Sequence, residues 1–171
     1  MRFAQIFWGL LLVLLDFRIN RVDLFPDFLG YILVAIGCRE LANVSRHFAT
    51  ANTFAWVSVG LALLGFLLSR GVAQVFGLVA LAVDCAMMWF LLGGIMELAL
   101  ARQRADLAQR ASNRRIAYVV IMCLGTFAGM AAQGSRSDSE ILGVLLILCI
   151  FPLLFMILHL IHRAKHELAG Y

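Results

Sequence analysis

Apolar residues run almost unbroken through six stretches of the chain, at about 3–17, 25–42, 54–69, 72–101, 116–133 and 141–161, with short polar segments between them. A hydrocarbon core takes roughly 20 residues of helix to cross. The pattern therefore predicts an all-α membrane protein, a six-helix transmembrane bundle built as one integral membrane domain over residues 1–171. The first and third stretches are short for a crossing, so five crossings with one re-entrant run is the alternative. The fourth is long enough to tilt, or to project from the membrane through the Arg-rich stretch 102–115.

Composition narrows the class further. With 171 residues, 63% hydrophobic, 14% charged and a mean hydropathy of +0.94, the chain lies outside the range of soluble domains. Six crossings use about 120 residues and leave about 50 for loops, so no separate soluble domain fits. A cytosolic enzyme, a nucleic-acid-binding module and a secreted disulfide scaffold are excluded. Cys38, Cys85, Cys123 and Cys149 all fall in apolar stretches without CxxC spacing and read as small packing residues. The N-terminal run ends on Asp16-Phe17-Arg18 rather than on a small-residue cleavage site, which makes it an uncleaved first helix.

The formal charge of +4 becomes informative once it is divided by side. With both termini on one face, that face holds ten basic residues, Arg2, Arg39, Arg46, Arg102, Arg104, Arg110, Arg114, Arg115, Arg163 and Lys165. The other holds four, Arg18, Arg21, Arg70 and Arg136. The bias places both termini in the cytoplasm and removes any need for a nucleic-acid partner. The cluster from Arg102 to Arg115 reads as a topology determinant, or alternatively as a contact for anionic lipid headgroups.

Small residues supply packing signals: Gly125 and Gly129 in the fifth helix, Gly65 and Ser69 in the third, and Gly30 and Gly37 on one face of the second. The second, fourth and sixth helices end on one tripeptide, Glu40-Leu41-Ala42, Glu97-Leu98-Ala99 and Glu167-Leu168-Ala169. This is the pattern of three hairpins in parallel repeat, in which Glu40, Glu97 and Glu167 would ring the cytoplasmic mouth. Polar residues at helix ends by coincidence would look the same.

The segment between the first two helices concentrates Asp16, Arg18, Asn20, Asp23, Pro26, Asp27, Gly30 and Tyr31. Asp23 is placed to cap the second helix, Pro26 to occupy its first turn and Asp27 to face the positive end of its dipole. The stretch from about Leu15 to Leu41 resembles a family of small, uncharacterised multi-pass membrane proteins of bacteria. Their recurring feature is an Asp- and Asn-containing turn followed by a Leu-Pro-Asp-x-x-Gly-Tyr type segment, with Phe25 here in place of Leu. The resemblance implies a bacterial cytoplasmic-membrane location and supplies no mechanism.

Asp84 is the one acid deep inside an apolar run. An intramembrane carboxylate marks a proton or cation site by default; the structural alternative is a neutral Asp bonded to Thr126, a cysteine thiol or a backbone carbonyl. His159, His162 and His166 share a helical face with ligand-like spacing. Arg163 and Lys165 beside them disfavour a dication, and the three read better as helix-end residues. Trp56 and Tyr118 fit an inner aromatic belt, and Trp8 and Trp89 fit packing positions.

No phosphate loop, HExxH or GxSxG is present, and Asp84 has no equally deep carboxylate partner for aspartic-peptidase chemistry. No cofactor is implied. The expected function is a small transporter, channel or transport-associated subunit using Asp84. The alternatives are a structural or regulatory protein that binds a partner through the Asp16 to Tyr31 hairpin, and a membrane enzyme acting on a lipid-linked substrate.

Overall fold

The computed structural model describes the backbone of residues 2–14, 18–19, 22–23, 27–67, 73–131 and 136–168, and the side chains of 3–13, 28–65, 76–127 and 148–164. Six helices carry the fold: α1 (Arg2–Leu14), α2 (Asp27–Leu41), α3 (Arg46–Leu67), α4 (Ala73–Ala101), α5 (Ala105–Ala131) and α6 (Arg136–Leu168). A two-residue antiparallel ladder, β1 (Arg18–Ile19) with β2 (Val22–Asp23), lies between α1 and α2 and sets Arg18 opposite Asp23. Among the described residues two segments are long and apolar enough to cross a membrane, Arg46–Gly65 at mean hydropathy 1.4 and Phe76–Ala101 at 2.1.

Several helices outrun the apolar stretches that announce them. The third stretch, too short for a crossing on its own, is part of a 22-residue helix because Ser45 starts α3 early. The Ser45 hydroxyl accepts a hydrogen bond from the backbone amide of His47 at 3.1 Å, satisfying one of the free donors of the first turn. The Arg-rich stretch 102–115 is neither a loop nor a prolongation of α4. The α4 helix stops at Ala101, and α5 begins at Ala105. The stop is a Schellman closure: Arg104 N donates to Ala99 O and Gln103 N to Leu100 O, both at 2.9 Å, around Gln103 at φ 56°. Inside α6, Pro152 removes one donor and leaves the carbonyl of Leu148 without its usual partner.

Each helix packs on its neighbour in sequence, and α6 returns to α1, so the six close into a ring. Buried positions recur at helical spacing and face inward: Val34, Ala35, Cys38 and Leu41 on α2, Met88, Leu91, Leu92, Ile95 and Ala99 on α4, and Ile157, Leu160, Ile161 and Ala164 on α6. Large apolar side chains also face outward, among them Leu124, Phe127, Leu148 and Phe155.

Close backbone approach is concentrated where α1 meets α2. A Cβ on Gly9 would lie 2.6 Å from Gly30 O, and one on Gly30 would lie 2.7 Å from Gly9 O, so neither position admits a side chain without separating the helices. Gly94 is similarly closed by the ring of Phe48, 2.9 Å away.

Candidate functional site

The α4 helix carries Asp84 toward the ring interior, where hydroxyls from two other helices meet it. Tyr31 of α2 donates its phenolic O–H to Oδ2, and Ser58 of α3 donates to Oδ1, each at 2.9 Å. Both carboxylate oxygens are thus engaged by separate donors, an arrangement suited to an acceptor-only carboxylate. No salt bridge reaches Asp84 among the described residues. Thr126 is occupied elsewhere, donating to the carbonyl of Met122 at 2.8 Å, so the hydroxyl partners of Asp84 are Tyr31 and Ser58.

Two cavities meet at this group. The first, about 220 Å³, runs along the axis of the ring and is lined by residues of α1, α2, α4, α5 and α6, including Leu10, Tyr31, Met88, Tyr118 and Leu158. The second, about 230 Å³, is bounded by α2, α3 and α4 and includes Ser58, Leu61, Gly65, Phe76 and Ala80. Tyr31 and Asp84 line both. Their hydrogen bond therefore lies on the partition between the two spaces.

Of the candidate residues between Asp16 and Tyr31, only Gly30 and Tyr31 have described side-chain environments: Gly30 in the tight contact with Gly9, Tyr31 on Asp84. Asp16, Asn20 and Pro26 lie outside the described residues, as do the side chains of Arg18, Asp23 and Asp27. Asp23 lies in β2, and residues 24–26, which decide how α2 is capped, lie outside the described residues. Asp27 is the first described residue of α2.

At the opposite helix ends, Glu97 accepts a hydrogen bond from the Ser45 hydroxyl and ties α4 to the start of α3, while Glu40 is exposed. The side chains of Glu167 and His166 are outside the described residues. His159 and His162 are exposed, and the His162 ring lies 5.9 Å from that of Phe7. No group of three or more metal-ligating side chains occurs among the described residues. In the Arg-rich stretch, Asp106 binds Arg104 at 3.4 Å and Arg163 of α6 at 3.5 Å.

Three aromatic assignments change, that of Trp89 because it is exposed rather than packed away. Tyr118 is buried and lines the axial cavity rather than an interfacial belt. Trp8 is 58% exposed, so it is no packing residue. Cys123 and Cys149 are likewise exposed, and only Cys38 is fully buried. Sequence reasoning overlooked Ser58 and Gly9. The signal for Ser58 was its place as a hydroxyl among apolar residues of the third helix; for Gly9, it was the helical register that sets it against Gly30. Comparison with family models, curated proteins and solved structures finds no match.

Proposed function

We propose that the chain is a six-crossing bundle of a bacterial cytoplasmic membrane, with both termini inside, that moves a proton or small cation by way of Asp84. The observation that carries this reading is the carboxylate at the junction of two cavities, held by one hydroxyl on each oxygen. Outward-facing Phe127, Phe155 and Leu124 support burial of the ring exterior in lipid. The ten-to-four division of basic residues supports the orientation.

An isolated carboxylate charge in hydrocarbon is costly, so it travels with a proton or a cation. Binding a proton at one oxygen of Asp84 turns that oxygen from acceptor to donor. Either Tyr31 or Ser58 must then rotate its hydroxyl, and a released Tyr31 opens the partition between the cavities. A cation takes the same place by withdrawing the carboxylate from its donors.

The test is flux in proteoliposomes. Asp84→Asn keeps the volume and one acceptor oxygen, removes the titrating group, and is expected to abolish proton or cation movement in protein that remains folded. Full flux from a folded Asp84→Asn protein rejects the reading. The backbone ladder pairing Arg18 with Asp23 favours one second reading, recognition of a protein partner there. That reading predicts no flux in the wild type, and loss of partner capture on Asp27→Ala.

A further inference from the structure

The axial cavity meets Asp84 on one side, and its wall is chemically uneven. Asp84, Tyr31 and Tyr118 bring side-chain oxygens; the rest of the described lining is Leu, Val, Ile and Met. Met87 and Met88 come from α4 and Met122 from α5. One carboxylate and two phenols thus share an apolar space with three flexible, polarisable thioethers. Met87, Met88 and Tyr118 are buried, whereas Val13 on α1, Met122 on α5 and Leu154 on α6 are half-buried. On that side of the ring only partly covered side chains stand between the cavity and the exterior.

A bare divalent metal ion is poorly matched to this wall. Ca²⁺ and Mg²⁺ take about six or more oxygen ligands. The lining side chains offer two oxygens on Asp84 and one on each tyrosine. A primary ammonium group carries only three donors, which that set satisfies, and its charge is answered by the single carboxylate. The tyrosine rings add a favourable face for a cation, and the thioether and aliphatic wall covers an apolar body. Volume sets the size of that body. A cavity of about 150 Å³ holds one benzene molecule, so by proportion the 220 Å³ here holds an ion of about nine non-hydrogen atoms.

We propose that the axial cavity binds a primary organic ammonium ion of about this size, its nitrogen on Asp84 and its apolar body among Met87, Met88 and Met122. The inference rests on the reading of Asp84 as a cation-bearing carboxylate, and it names the class of cation. The bound ammonium replaces the hydrogen bond that Tyr31 gives to Oδ2 and frees that phenol to accept from the ion.

The test is calorimetric titration of purified full-length protein, in neutral detergent, with phenethylammonium. Saturable binding is expected, with a dissociation constant on the order of 0.1 mM. Phenethyl alcohol, equal in size but uncharged, is expected to bind about tenfold more weakly or worse, and folded Asp84→Asn is expected to weaken phenethylammonium binding by a similar factor. Leu154→Trp keeps the carboxylate and fills the cavity from its half-buried edge. It is expected to lose binding, and it remains a test if Asp84→Asn does not fold. Val120→Trp puts the same indole on the exposed outer face of α5 and is expected to keep binding. Absence of binding, equal affinity for phenethyl alcohol, or unaltered binding in Asp84→Asn or Leu154→Trp overturns the proposal. Flux in proteoliposomes separates it from the transport reading. Proton or inorganic-cation flux that depends on Asp84, in a wild type that binds no phenethylammonium, overturns this inference alone; Asp84-dependent binding without any flux supports the site and rejects transport.

Discussion

Tyr31 and Ser58 each give Asp84 one hydrogen bond, yet the two hydroxyls differ in what else they do. Tyr31 lines both cavities and is buried, whereas Ser58 lines only the one between α2, α3 and α4. Hydrogen bonds to a charged group are worth about 1.5–3 kcal/mol, so Tyr31→Phe and Ser58→Ala are each expected to destabilise the fold by that order in denaturant unfolding. Their transport effects diverge: Tyr31→Phe removes the closing group and raises uncoupled leak in proteoliposomes, while Ser58→Ala does not. Equal leak in the two variants removes Tyr31 from the partition. Asp84 was legible in the sequence because a lone acid in an apolar run is conspicuous. Its partners were not, because Tyr31 is 53 residues away and Ser58 26, and pairing at that distance is decided by how the helices pack. Beyond the two long apolar segments, Asp106 feels desolvation that pushes its carboxyl up. This is outweighed by hydrogen bonds from Arg104 and the Leu107 amide and by the charges of Arg104 and Arg163, which hold it below the usual range. A depressed carboxyl contributes stability above its unfolded pKa and loses it as the pH falls through the folded one. Wild type and Asp106→Asn are therefore expected to differ at neutral pH and to converge in acid, as read by thermal unfolding across pH.

At the scale of elements, the helices are positioned by backbone contact more than by side-chain polarity. Gly9 and Gly30 allow α1 and α2 to touch, and a methyl group on Gly30 would meet Val13 at 2.5 Å and Gly9 O at 2.7 Å. Gly30→Ala is expected to cost about 1–3 kcal/mol, the usual penalty of overpacking. Gly60 has nothing within 4 Å of the same point, so Gly60→Ala is expected to stabilise α3 by roughly 0.5–1 kcal/mol through helix propensity alone. Opposite signs for two glycine-to-alanine changes in denaturant unfolding test the packing directly; two costs of equal size would contradict it. The number of helices was legible because long apolar runs leave few other choices. Their ends were less so. The starts of α3 and α5 are polar, since those turns lie beyond the apolar runs, and the stop of α4 depends on Gln103 adopting a left-handed conformation that its side chain does not favour.

For the whole molecule, the proposed arrangement of six crossings in alternating direction has one consequence that does not depend on the transport reading. The turns after α2 and after α4 both follow an even number of helices, so Asn43 and Gln103 share one face. The orientation proposed from the basic residues puts that face in the cytoplasm. With the native cysteines replaced, single cysteines at these two exposed positions are expected to react with a membrane-impermeant maleimide in inverted vesicles and to be protected in right-side-out ones. Labelling of both from the outside would keep the bundle and reverse its orientation. Labelling from opposite sides would reject six crossings in favour of five with a re-entrant third helix, which inverts one turn relative to the other. The result bears on function because it fixes which compartment each cavity faces. The axial space beside Tyr118 and the space beside Phe76 are divided by Asp84, and a carboxylate can couple two compartments only when its two sides open to different ones.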